Sequence, residues 1–170
     1  MINGFHHVGI SVSDLDISIV FYKEMLGMEL VGPIVHFDGP QFGLIMALEN
    51  PAGRVAFMRN GDFQLELFEF ARPQPAAKDP NYPVADRGIS HFCVNVTDVA
   101  ATYERLLAAG VRFHCPVLQF PDGAKATYAR DPDGNVFELL EAPHVALHRE
   151  YREHVRQSNE RRLVDHHYRA

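Results

Sequence analysis

Apolar and polar residues alternate over Phe5–Val12, which puts His7, Gly9 and Ser11 on one side of an extended chain and Val8, Ile10 and Val12 on the other. The period then changes. Ile17, Val20, Phe21, Met25 and Leu26 recur at helical spacing, with Asp14 or Asp16 placed to cap the start and Gly27 placed to stop the end. Short apolar runs predict strands at Glu29–Val35, Gly43–Leu48, Arg54–Arg59 and Phe63–Phe70. Asn60-Gly61 tolerates positive φ and predicts a tight hairpin between the last two. Gly43–Leu48 fits a strand or a loop equally well.

Residues 71–87 then turn to Pro, Ala, Asp and Asn, including Pro73, Pro75, Pro80 and Pro83, which excludes a central strand or a continuous helix. Beyond them the order repeats. Ser90–Val96 predicts a strand and Val99–Ala109 a helix stopped by Gly110; strands follow near Val111–His114, Ala124–Ala129 and Asn135–Glu141. Asp131-Pro-Asp-Gly134 is the turn between the last two. The implied unit is βαβββ, used twice. The expectation is an α+β fold of two such modules, residues 1–70 and 88–142, joined by a linker over 71–87. Their sheets curl into a mixed cup. Residues 143–170 alternate charges at helical spacing and predict a charged C-terminal helical tail, with His166-His167 as part of its surface.

At 170 residues and 46% hydrophobic content the chain can bury a core without disulfides. A formal charge of −6 and the lack of a basic stripe argue against nucleic acid as a partner. Cys93 and Cys115 form no CxxC pair, which fits a reducing compartment. No secretory pattern opens the chain, and no run approaches the ~18 apolar residues of a membrane helix. The expectation is a soluble, cytoplasmic protein without a membrane partner.

The chemistry lies in the repeat itself. His7-Val-Gly-Ile-Ser-Val-Ser-Asp14 returns as His91-Phe-Cys-Val-Asn-Val-Thr-Asp98. Each half also ends in a strand with a central glutamate, Glu66 between Leu65 and Leu67 and Glu138 between Phe137 and Leu139. Alone, each glutamate reads as the solvated face of a half-buried strand and each histidine as a hydrogen-bonded surface residue. Together they fall at corresponding places twice, opposite apolar rows, where charge is costly unless paired or metal-bound. Two imidazoles and two carboxylates suit one divalent ion: Fe²⁺, Mn²⁺, Zn²⁺, Ni²⁺ or Co²⁺. His6 is assigned no metal role, because alternation places it opposite His7 and Ser90 is no counterpart. Glu69 and Glu141 read as strand-end charges.

These residues resemble the vicinal oxygen chelate superfamily, which includes lactoylglutathione lyase, methylmalonyl-CoA epimerase, fosfomycin-resistance proteins and extradiol dioxygenases. The matching motifs are the two His-to-Asp segments, Phe63-Gln-Leu-Glu-Leu-Phe-Glu69 and Asp131-Pro-Asp-Gly-Asn-Val-Phe-Glu-Leu-Leu-Glu141. By that resemblance His7, Glu66, His91 and Glu138 match the four metal positions of the lyase, and substrate oxygens or waters complete an octahedron. A metal-bound glutamate, Glu138 or Glu66, is then the base. The implied activity is a glyoxalase-type isomerase or lyase acting on vicinal oxygens through an enediolate.

Two positions depart from the family patterns. Ser11 stands where the glutathione-dependent lyases carry an arginine, and Ala56 stands near the position of the epimerase's extra glutamate. The alternative activity is Fe²⁺-dependent extradiol ring cleavage, because Tyr128 lies ten residues before Glu138, a spacing similar to that family's acid-base tyrosine. No additional pocket histidine accompanies it in the sequence. A further alternative is a ligand-sequestering protein like the bleomycin-binding members. Met46, Phe57, Met58, Phe68, Phe120 and Tyr128 are candidates for the wall around a small, apolar or aromatic substrate. Arg54, Lys125 and Arg130 are candidates for an anionic group or plain exposed charges. The resemblance also implies a homodimer, with the cup closed either within one chain or between two.

Overall fold

A computed structural model describes residues 1–2, 4–76 and 78–143. The element order is β1 (Val8–Ser11), α1 (Leu15–Leu26), β2 (Glu29–Asp38), α2 (Pro40–Met46), β3 (Ala52–Asn60), β4 (Phe63–Arg72), β5 (Phe92–Asn95), α3 (Val99–Ala108), β6 (Arg112–Phe113), β7 (Leu118–Gln119), β8 (Lys125–Arg130) and β9 (Val136–Glu141). Two mixed sheets result, ordered β1-β4-β3-β2 and β5-β9-β8-β6, with β7 also pairing β8. In each sheet the first strand runs parallel to the last, reached through a helix, and the remaining pairs are antiparallel. This is the expected α+β arrangement of glyoxalase-type βαβββ units.

One expected element needs correction. Gly43–Leu48 forms no strand: Gly43–Met46 belong to helix α2 (Pro40–Met46), which has Pro at its start and ends at Ala47 in the left-handed region. The strand expected near Val111–His114 is present as the two-residue β6, and a further two-residue strand, β7, follows at Leu118–Gln119. The C-terminal helix expected over 143–170 lies outside the described residues beyond Pro143.

Alternation in β1 sends Val8 and Ile10 into the core and leaves Gly9 and Ser11 exposed. Leu65 and Leu67 of β4 are fully buried on that same side. The core is shared between the sheets: Leu15, Tyr22, Met58, Leu65 and Leu67 pack in one cluster with Val99, Leu106, Phe137 and Leu139. Each large side chain so buried contributes about 1.5–3 kcal/mol. Arg105 Nη2 of α3 donates to Met25 O across 2.9 Å, and Ser13 N donates to Asp133 Oδ1 across 3.0 Å, so polar contacts also cross the seam. The helices therefore lie on the shared side, and the opposite face of each sheet is left for Glu66 and Glu138.

Both long helices start in the same way. Asp14 and Asp98 accept from the backbone N–H three residues on, as N-caps do. A second carboxylate reaches each first turn from the neighbouring sheet. Glu69 accepts from Leu15 N at 3.1 Å, and Glu141 accepts from Val99 N at 2.9 Å. Arg54 then pairs with Glu69 and Lys125 with Glu141. Glu69 and Glu141 are thus helix-capping groups rather than simple strand-end charges, placed where the helix dipole favours an anion.

The turn before β9 depends on Gly134. Its φ is +84°, and a Cβ there would stand 2.3 Å from Pro80 O. Only glycine allows the segment containing Pro80 to lie this close.

Candidate metal centre

Parallel pairing of β1 with β4 sets Gly9 opposite Glu66. His7 stands one residue ahead of β1, and its Nε2 lies 3.0 Å from Glu66 Oε2. A Cβ at Gly9 would meet Glu66 Oε2 at 3.7 Å, an ordinary contact. Phe57 faces Glu66 across the β3–β4 ladder, and its ring lies 5.4 Å from that of His7. Phe68 is next along the same face of β4, stacked on Phe70 and edge-on to the buried Phe37.

The second sheet repeats the construction. Pairing of β5 with β9 sets Cys93 opposite Glu138, and His91 Nε2 lies 3.2 Å from Glu138 Oε2. Cys93 occupies the position that Gly9 holds in the first sheet. Withdrawal from water, then the charge of Glu138 and a hydrogen bond to it, push the Cys93 thiol up to about 12. Tyr128 faces Glu138 across the β8–β9 ladder, with its hydroxyl 3.5 Å from His91 Nε2 and the two rings 4.7 Å apart. Burial first, then the charges of Glu138 and Cys93, raise its pKa, so the phenol keeps its proton.

His114 lies on the other side of Tyr128, with ring centroids 6.0 Å apart. Burial, then the charge of Arg130, lower its pKa and favour the neutral imidazole. No such histidine stands among the expected site residues. Its signal was alternation: His114 follows Phe113, which packs on the helix side against Tyr103.

The donor chemistry of each half fits part of the ligand shell of a divalent cation. Neutral imidazole nitrogen and carboxylate oxygen are ordinary ligands of Zn²⁺, Mn²⁺, Fe²⁺, Ni²⁺ and Co²⁺. Two donors at right angles about an ion, each about 2.1 Å from it, stand about 3.0 Å apart. The observed 3.0 and 3.2 Å match that spacing. All four side chains are partly sheltered, Glu66 and Glu138 at 17% and 18% exposure and His7 and His91 at 34% and 26%. The structure thus joins His7 to Glu66 and His91 to Glu138. It does not gather the four: among the described residues no group of three or more His, Cys, Asp or Glu side chains is placed to hold an ion.

The wall candidates divide. Phe57, Phe68 and Tyr128 lie on the faces that carry the glutamates, whereas Met58 is fully buried in the core and is removed from the wall. Met46 ends α2, and Phe120 is exposed just past β7. The basic candidates are committed elsewhere. Arg54 binds Glu69 and Asp16, Lys125 binds Glu141, and Arg130 donates to the carbonyls of Gly134 and Tyr82. None is free for a substrate anion. Ala56 is core, and Ser11 is exposed at the end of β1.

β1 pairs only with β4 and β5 only with β9 among the described residues, so each sheet keeps one open edge beside its histidine. A groove of about 320 Å³ runs between the two edges and is lined by Val8–Ser11 and Ile89–Phe92. No described helix is long and apolar enough to cross a membrane.

Comparison with known proteins agrees with the fold. The chain is 34% identical over 147 residues to a 2-epi-5-epi-valiolone epimerase of Actinomyces, covering 81% of this chain and 79% of that protein. It is 30% identical over 152 residues to a lactoylglutathione lyase of Pseudomonas putida, covering 81% and 84%. A glyoxalase family protein of Bacillus cereus superposes with a TM-score of 0.76 at 26% identity, over 83% of this chain and 95% of that one. Residues 4–139 match the family model as a whole, and the chain belongs to the Glyoxalase/Bleomycin resistance protein/Dioxygenase superfamily.

Proposed function

We propose that this protein is a divalent-metal-dependent isomerase or lyase that moves a proton on the carbon beside a carbonyl. The observation that carries the reading is the duplicated pair, His7 with Glu66 and His91 with Glu138, at the donor spacing of one ion. A bound ion would hold two adjacent substrate oxygens and offset the negative charge that develops as the proton leaves. The chain itself supplies the base, since a carboxylate facing the open side of the sheet can take a proton from one face of the carbon and return it to the same or the other. Glu138 and Glu66 are the two candidates. Similarity to an epimerase and to a lyase supports this class.

The same reading makes a second copy of the chain part of the site. Each sheet presents half a ligand set beside an open strand edge, and among the described residues no three such donors are grouped about one point. A self-complementary dimer that sets β1 of one copy against β5 of the other would bring all four donors together twice. The two modules, 1–70 and 88–142, then each serve a different site.

Solvent-deuterium exchange tests the chemistry. Metal-loaded protein should exchange the proton beside the carbonyl in 2-epi-5-epi-valiolone, in thiol adducts of 2-oxoaldehydes or in 2-substituted thioesters. Exchange should fall at least ~100-fold in E138Q or E66Q, the scale of a lost acid-base group. Undiminished exchange in both variants removes the carboxylate base. One observation favours ring cleavage as a second reading: a protonated Tyr128 beside His91, with His114 behind it. Oxygen uptake on catechols by the Fe²⁺-loaded protein, abolished in Y128F, selects that reading.

A further inference from the structure

The residue just before each candidate ligand histidine touches that histidine's other nitrogen. Ser90 Oγ lies 2.9 Å from His91 Nδ1. His6 Nδ1 lies 2.8 Å from His7 Nδ1. In both halves Nε2 points at the glutamate while Nδ1 is held by the preceding side chain. The two contacts sit at corresponding places of the repeat, although the residues making them differ.

A neutral imidazole carries one proton, so the nitrogen that ligates an ion is free only if the proton sits on the other. We propose that Ser90 is a positioning residue, with His6 as its counterpart: each accepts the Nδ1 proton of the following histidine and thereby presents Nε2 as the metal-facing nitrogen. This rests on the metal reading given above.

The two devices differ in how they reach that state. The Ser90 hydroxyl both donates and accepts, so it serves either tautomer of His91 by rotating. His6 cannot rotate its way out, because two neutral imidazoles facing through Nδ1 share one proton between them. Without an ion, Glu66 accepts from His7 Nε2–H, and the proton between the rings belongs to His6. When His7 Nε2 becomes a ligand, His7 must keep its proton on Nδ1 and His6 must carry its own on Nε2. The first half-site therefore rearranges two rings on loading, and the second rearranges one ring and a hydroxyl. Second-sphere hydrogen bonds of this kind change metal affinity by about 10- to 100-fold when removed.

The Ser90 contact is the better test, because it is partly buried whereas the His6 contact is exposed to competing water. Ser90→Thr keeps the hydroxyl, and Ser90→Val has the same shape without it. Zn²⁺ and Co²⁺ affinity would be measured by chelator competition, and imidazole tautomers by ¹⁵N NMR of the metal-free protein. The threonine variant should bind within about threefold of the parent, and the valine variant at least ~10-fold more weakly. In the valine variant the His91 tautomer should shift toward Nε2–H, donated to Glu138. Thermal melts of both variants exclude unfolding as the cause. Equal affinities and unchanged tautomers in the two variants overturn the role of Ser90 and leave the metal reading standing. A parent protein that binds neither ion overturns the metal reading itself, and the proposal falls with it.

Discussion

The hydroxyl of Tyr22, in the middle of α1, donates to Asp131 Oδ2 across 2.7 Å, and neither side chain reaches solvent. This bond joins the helix of the first sheet to the turn that feeds the last strand of the second. Asp131 also accepts from the backbone N–H groups of Asp133 and Asn135 and from the Asn135 amide, so its carboxylate is held at both oxygens. Tyr22→Phe leaves the shape and removes one donor to a buried acceptor. The expected loss is about 1.5–3 kcal/mol, the usual range for a hydrogen bond to a charged group. Urea unfolding of Y22F measures it, and an unchanged midpoint would show that the bond contributes nothing across the seam.

Asp131 also sets a pH dependence of unusual sign. Burial raises its pKa above the ordinary 3.8, against the lowering effect of its bonds from Asn135 and Tyr22. A carboxyl raised on folding gives its full stabilisation below the unfolded value and loses it as pH rises through the folded one. Glu141 behaves in the opposite sense. Its bonds from Lys125 and Val99 lower its pKa below 4.5, so its contribution is present above that value and is lost on acidification. Comparing the parent with Asp131→Asn isolates the first effect, because every other group cancels. The stability difference should move in favour of the parent as pH falls from 7 toward 4. A difference that stays flat would mean that Asp131 titrates normally.

What was legible in the sequence followed from period. The strands and helices around Val8, Leu15, Leu65 and Phe137 announced themselves by alternation or helical spacing, and the joining of His7 to Glu66 and of His91 to Glu138 was legible in their return at corresponding places of the two halves. The failures have physical causes. Helix α2 is seven residues long, too short for its apolar run to show a period, and the one usable signal was Pro40 at its first position. His6 was set aside on an alternation argument, yet His6 and His7 both precede β1, as Ser90 and His91 precede β5, so strand facing does not govern them. The capping role of Glu69 and Glu141 depends on how each helix docks against a sheet, which no local pattern encodes. Gathering four ligands about one ion is a question of module placement, and spacing along the chain carries no information on it.

The substitution of Cys93 for the glycine of the first half-site gives a chemical handle. With the thiol pushed up to about 12, only about one molecule in ten thousand carries a thiolate at pH 8, against a substantial fraction for an ordinary cysteine. Cys93 is exposed as a residue although its sulfur is partly withdrawn from water, so a small uncharged thiol reagent serves as the control for access. In metal-stripped protein, iodoacetamide should modify Cys93 at least ~10-fold more slowly than free cysteine, as followed by peptide mass spectrometry. Glu138→Gln removes the neighbouring charge and should speed the reaction. Equal rates in parent and variant would show that the carboxylate does not act on the thiol.

The arrangement of half-sites makes a prediction that separates one-chain from two-chain assembly. In a dimer built from exchanged halves, every site of a His7→Ala dimer lacks the first histidine and every site of a His91→Ala dimer lacks the second. Neither should hold an ion tightly. Mixed and allowed to exchange subunits, the two variants form heterodimers in which one site combines the intact His7–Glu66 of one chain with the intact His91–Glu138 of the other. The second site of each heterodimer then carries both lesions. Random pairing makes half the dimers mixed and restores one site in two within them, so metal content should recover to roughly a quarter of the parent's. If all four donors instead meet within one chain, no intact set exists in any mixture and nothing recovers. Light scattering on the same samples gives the independent check, since a chain that stays monomeric throughout cannot share its ligands with another copy.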